Sequence, residues 1–152
     1  MKVVIASDHG GYQLKEELKT FIAELGHEVA DYGAHTQDPV DYPDFAFLVA
    51  EAVAAGAADR GVMIDGIGAA SAVVANKVPG IRAASCSDTF TAAMSRAHND
   101  ANVLTLGARV IGSGLAREIV RVWLAAEFEG GRHMRRVSKV LDFEARHLGP
   151  RR

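Results

Sequence analysis

The chain has 152 residues, 49 % of them hydrophobic, enough for one globular domain with a core of useful size. A net charge of −2 gives no bulk attraction for nucleic acid or for an acidic membrane surface. The single cysteine, Cys86, excludes an intrachain disulfide, and no apolar run approaches the roughly 20 residues of a membrane span.

The first residues enter a strand directly, at Val3-Val4-Ile5-Ala6, and lack the long apolar region of a signal peptide. A cytoplasmic location without a membrane partner is expected. Residues 12–25 then carry apolar side chains at Leu14, Leu18, Phe21, Ile22 and Leu25, which is helical spacing, and Gly26 is a plausible stop. Residues 27–31 read as a second, less buried strand. A loop with Asp38-Pro39 and Asp41-Tyr42-Pro43 leads to a helix over 44–55. The third strand is 61–64, followed by a glycine loop over 65–71 that opens another helix. Residues 81–84 form the fourth strand, ending near Cys86, which reads as a buried structural thiol. A helix over 88–97 and a fifth strand over 102–106 follow. The last two helices are expected over 114–127 and from Met134 to about 147, leaving 149–152 as a frayed tail.

Strands alternating with helices predict a parallel sheet covered on both faces. The expected fold is α/β: a Rossmann-like, doubly wound three-layer sandwich with a five-stranded parallel sheet, in a single domain spanning 1–152. Ligands in such folds sit outside the carboxyl ends of the strands. Asp8-His9 follows strand one and Asp65-Gly66 follows strand three.

Gly66-Ile67-Gly68 after a strand invites a dinucleotide reading, but Ser71 stands where a third glycine is required, and no acidic residue ends the next strand. No Walker A triplet occurs. Two readings of the loop remain: backbone N–H groups holding one oxyanion, or glycines serving a tight turn. Arg132 and Arg136 are four apart and can present one helical face to a phosphate. A basic first helical turn is locally unfavourable, which a bound anion would offset.

These segments share a pattern. Ser7-Asp8-His9-Gly10-Gly11, the loop from Ile64 to Ser71 with Ala75-Asn76-Lys77, His98-Asn99-Asp100 and Gly130-Gly131-Arg132-His133 resemble the ribose-5-phosphate isomerase B family of sugar-phosphate isomerases. That family includes the galactose-6-phosphate isomerase subunits, and the resemblance covers about residues 2–147. It implies an aldose–ketose isomerase acting through an enediolate, with no cofactor and no metal. It implies His98 as the ring-opening group, with Asn99 beside the substrate oxygens. Asp8 would touch sugar hydroxyls, His9 would help hold phosphate, and Tyr42 would line the sugar pocket. Arg109, Arg132 and Arg136 map to the phosphate-binding set. The family's site lies between two subunits, so a homodimer or homotetramer is implied, with the C-terminal helix packing on a partner. His9 and the C-terminal arginines then need not serve the same site as their own Asp65.

The catalytic loop departs from the family pattern. Asp65 holds the position of the family's cysteine base, Ile67 that of a neighbouring hydroxyl, Ala70 that of a glycine, and Ser71 that of an alternative glutamate. A partly desolvated carboxylate can remove a proton beside a carbonyl, so Asp65 is the expected base, with Gly66 and Gly68 in the substrate-binding loop. Ser71 is expected to cap the helix that follows. The competing reading is a catalytically silent sugar-phosphate-binding homologue, or a non-catalytic subunit of a mixed isomerase. Ile67 makes the pocket more apolar, which suits a shorter or deoxygenated phosphosugar.

Overall fold

The computed structural model describes residues 1–148; the tail expected at 149–152 lies outside the described residues. Five strands form one all-parallel sheet: β1 (Lys2–Ser7), β2 (Glu28–Asp31), β3 (Arg60–Asp65), β4 (Ala83–Ser85) and β5 (Val103–Gly107), in the order β2-β1-β3-β5-β4. The central strands β1, β3 and β5 are buried along almost their whole length. This explains why their sequences are continuous apolar runs rather than alternations.

Alternate residues serve two cores. Val3, Ile5, Val62, Ile64, Leu104 and Leu106 face α1 (Tyr12–Glu24) and α5 (Ser113–Ala125), packing with Leu18, Ile22, Ile119 and Trp123. Val4, Ala6, Met63 and Val103 face the opposite layer, where Val49 and Ala50 of α2 (Tyr42–Ala54) and Ala75 of α3 (Ala69–Ala75) pack. Helix α4 (Thr89–Asn99) lies against α5, and α6 (Gly131–His147) lies against α4. The expected three-layer α/β sandwich is the observed one. Among the described residues no helix is long and apolar enough to cross a membrane.

Several boundaries differ from the sequence reading. Helix α2 begins at Tyr42, two residues before the expected start, because Pro43 sits in its first turn, where a missing N–H costs nothing. Strand β4 is only three residues long and starts at Ala83; Ile81 is buried but outside the ladder. Helix α4 runs on to Asn99, which places His98 inside it, and Asp100 ends it in the left-handed conformation. Helix α6 begins at Gly131, so Arg132 lies in its first turn. Helix α5 stops at Ala125 rather than 127. Gly26, at φ +88°, follows the C-cap of α1 as expected.

Candidate active site

The carboxyl ends of β1, β3 and β5 meet at the point where the chain, having added β2 on one side of β1, adds β3 on the other. Gly11 starts α1 against the end of β3 so closely that a Cβ there would lie 2.4 Å from the Ile64 carbonyl oxygen. Asp8 N–H donates to that same Ile64 oxygen at 3.1 Å. Asp8 Oδ1 accepts from Gly11 N–H at 3.0 Å, tying the turn to the start of the helix. His9 Nδ1 lies 3.2 Å from both the N and the O of Val40, two residues before Tyr42. Asp8, His9 and Tyr42 are thereby brought to one rim.

The loop after β3 is organised around Asp65, which is 2 % exposed. Its Oδ1 accepts from Ile67 N–H at 2.7 Å and Gly68 N–H at 2.6 Å. Its Oδ2 accepts from Ser71 N–H at 2.9 Å and from the Ser71 hydroxyl. Gly68, at φ +78°, caps α3, and a Cβ there would press on Ser85 and on the Leu106–Gly107 backbone. The sequence reading made Ser71 the cap of this helix, but Gly68 occupies that position. Ser71 is the third helical residue, and the Asp65 side chain receives its otherwise unpaired N–H. Two of the loop N–H groups expected to hold an oxyanion are likewise already given to Asp65. Arg109 N–H donates to the Gly66 oxygen at 3.0 Å, which sets Arg109 behind the loop. Ile67 is 58 % exposed.

The remaining predicted residues lie elsewhere. Helix α4 runs antiparallel to the strands, so His98 and Asn99 at its end sit beside the amino ends of β3 and β5, where Gly61 N–H donates to the Asn102 oxygen. Arg82 Nε donates to the Asn99 and Asp100 carbonyls, and Arg82 and Arg96 both pair with the Asp100 carboxylate. The turn before α6 is fastened to this end of α4 by Glu129 N–H donating to the Ala97 oxygen at 3.0 Å. Arg132 and Arg136 belong to this end too. Strand β3, with six residues at about 3.3 Å each, separates the two groups by roughly 16 Å. Within one chain, His9 and Arg109 keep company with Asp65, whereas Arg132, Arg136, His98 and Asn99 do not.

The amino-end group holds two residues that sequence reasoning did not single out. The rings of His98 and His133 stack with centroids 4.1 Å apart and planes 6° from parallel. Glu129 Oε2 lies 3.5 Å from His133 Nε2 and 3.9 Å from His98 Nε2. Glu129 and His133 are four apart, the one sequence signal that they could meet. The ligand atoms of these three residues lie within 4.8 Å of one another, as a metal site requires. Arg132 Nε, 3.4 Å from His133 Nε2, already places a positive charge there, so the trio suits proton sharing better than a cation. Burial, the His98 ring and Arg132 hold the His133 imidazole below its ordinary pKa, against the pull of Glu129. His98 and His133 line a groove of about 740 Å³ between α4, α6 and the β4 edge, together with Asn99, Arg136, Val140 and Phe143. Cys86 is buried, as expected, and burial pushes its thiol up.

An α/β sheet whose carboxyl edge carries a carboxylate in a glycine loop, and whose other edge carries histidines and arginines, defines a protein that handles small anionic substrates. Residues 3–140 match the Ribose/Galactose Isomerase family. The ribose-5-phosphate isomerase B of Clostridium thermocellum superposes with a TM-score of 0.95 at 54 % identity, covering 97 % of this chain and 99 % of that one. The ribose-5-phosphate isomerase B of Escherichia coli is 46 % identical over 95 % of this chain and 97 % of its own. The D-erythrulose-4-phosphate isomerase of Pectobacterium atrosepticum is 41 % identical, over 95 % of each. The chain belongs to the ribose/galactose isomerase family.

Proposed function

We propose that this chain is a cytoplasmic aldose–ketose isomerase of a small phosphorylated sugar, working as a homodimer whose sites each draw on both copies. The observation that carries this reading is the separation of its chemistry by the length of the sheet. Asp8, His9, Tyr42, Asp65 and Arg109 stand at one end; His98, Asn99, Arg132 and Arg136 stand at the other. Neither group by itself can open a sugar ring, move a carbon-bound proton and hold a phosphate. Two copies packed so that opposite ends meet supply all three functions. Helix α6 is suited to such a contact, with Val140, Leu141, Phe143 and Leu148 exposed.

In this reading His98 passes a proton to the ring oxygen as the ring opens. Asp65 takes the proton from C2 of the aldose and returns it to C1, with Asp8 and Asn99 on the sugar oxygens. The arginines and His9 hold the phosphate. Ile67 offers no hydrogen bond to a hydroxylated carbon, which favours a short phosphosugar. The Pectobacterium relative, named for a four-carbon substrate, points the same way. The four donors around Asp65 favour a second reading, a binding protein in which that carboxylate only builds the loop.

Incubation in deuterated water with four-, five- and six-carbon aldose and ketose phosphates separates the two by NMR. Deuterium entering beside the carbonyl, and lost in Asp65→Asn, is the expected result. Binding with no incorporation from any sugar would establish the silent binder.

A further inference from the structure

A base that takes up and returns a proton changes one carboxylate oxygen from acceptor to donor and back. The neighbours of that oxygen must tolerate both states. Three of the four groups on Asp65 are backbone N–H groups, which only donate. A proton placed on Oδ1 would point into Ile67 and Gly68 N–H, donor against donor, with no alternative partner. Oδ2 differs because one of its two neighbours is the Ser71 hydroxyl, which can donate or accept by turning about its C–O bond. Ser71 is fully buried, so water does not compete for that role.

We propose that Ser71 is a positioning residue for proton transfer, acting through Asp65. Its hydroxyl donates to Oδ2 while Asp65 is ionised and accepts from Oδ2–H once the substrate proton has arrived. The substrate C2–H bond breaks, an O–H bond forms at Oδ2, and the electron pair passes into the enediolate, whose hydroxyl proton moves from O2 to O1; the Oδ2–H bond then breaks as the enediolate electron pair forms a C1–H bond, so Asp65 and Ser71 are unaltered at the end. This assignment rests on the reading of Asp65 as the base. The charged groups on the neighbouring turns are Asp8 and His9 after β1 and Arg109 after β5, and in the proposed dimer His98, Arg132 and Arg136 would arrive from the second copy. Among the described residues, Oδ2 is held by the Ser71 N–H and the Ser71 hydroxyl, which leaves the hydroxyl as the local control.

The test compares wild type with Ser71→Ala, Ser71→Thr and Asp65→Asn, each measured for kcat, KM and the pH profile of kcat on the best substrate from the phosphosugar panel. Ser71→Ala keeps the backbone N–H on Oδ2 and removes only the hydroxyl. Its kcat should fall ten-fold or more, with KM within two-fold, and the acid limb of its profile should move to higher pH because a donor to the ionised form has gone. Ser71→Thr, which keeps a hydroxyl, should recover most of the lost kcat. A wild-type kcat and an unmoved acid limb in Ser71→Ala, with Asp65→Asn inactive, would overturn the role of Ser71 and leave Asp65 as the base. Wild-type turnover in Asp65→Asn would remove the base assignment and this proposal together.

Discussion

Lys15 Nζ lies 2.7 Å from Asp31 Oδ2, with the lysine side chain completely enclosed. Asp31 also receives Lys19 at 2.9 Å and the Gly33 N–H at 2.9 Å. Gly33 and Ala34 in turn exchange backbone hydrogen bonds with Ser7, at the end of β1. The pair therefore anchors the segment that goes on to Val40 and Tyr42. Removing one partner of a buried pair leaves the other charge uncompensated, but Lys19 remains beside Asp31. Lys15→Met should cost about 3 kcal/mol, at the low end for such pairs, read as a lower urea midpoint with unchanged slope. A midpoint equal to wild type would show that the pair contributes nothing net.

The same carboxylate predicts an acid dependence of stability. Burial acts to raise Asp31, but hydrogen bonds from Lys15, Lys19 and Gly33 N–H outweigh it and hold the carboxyl down at about 2, from 3.8. A depressed carboxylate contributes stability above its unfolded value, and that contribution is lost as pH falls from about 4 through about 2. Urea titrations of wild type and Asp31→Asn should differ above pH 4 and converge towards pH 2. Parallel curves over that window would contradict the assignment.

His133 follows the same proton arithmetic in a higher pH window. Its imidazole is held below the ordinary histidine value by burial, His98 and Arg132. The unfolded chain therefore binds the proton first, and stability declines as pH falls below about 6.5 until the folded imidazole itself titrates. His133→Asn should flatten that part of the stability curve. An unchanged slope between pH 7 and 5 would assign it to other groups.

Arg136 lies in the groove with His98 and Asn99. A charge-assisted contact to phosphate is worth about 1.5–3 kcal/mol. Arg136→Ala should therefore raise KM for the phosphosugar by about ten- to a hundred-fold, with a much smaller change in kcat. Isothermal titration with the sugar and its phosphate ester checks the cause: equal affinity for both in wild type would remove the phosphate from this site.

At Gly11 the approach of α1 to Ile64 leaves no room for a methyl group. Gly11→Ala should push the helix start off β3 and lower stability by about 1–3 kcal/mol, with a matching drop in Tm. Full stability would mean that the turn relaxes freely, and Asp8 would then be expected to shift as well.

The sheet and its flanking helices were legible because each central strand is a short, mostly apolar run and the helices repeat their apolar residues at helical spacing. What the chain order hides is which end of the sheet a residue reaches. His98 precedes β5 by only a few residues, which fixes it at the amino end of the sheet once α4 is known to run antiparallel; the sequence reading placed Asp8, His9, Asp65 and Gly66 at the carboxyl ends of the strands and gave His98 no end of the sheet. The bonds from Asp65 to Ile67 and Gly68 are local and follow from the Asp-Gly-Ile-Gly spacing. Its bonds to Ser71, six residues on, depend on how Gly68 turns the chain at positive φ. The stacking of His98 on His133 joins α4 to α6 and has no counterpart in local sequence.

A site shared between two copies, as proposed, would have a consequence for the inheritance of defects. Subunits carrying Asp65→Asn and His98→Asn would then each be inactive as homodimers. In a mixed dimer, one of the two sites would receive the intact aspartate from one chain and the intact histidine from the other. Random reassortment of equal amounts makes half the dimers mixed, so about a quarter of all sites are whole. Two dead preparations, unfolded together and refolded, would regain roughly a quarter of the wild-type rate, and two alleles null by themselves would complement in one cell.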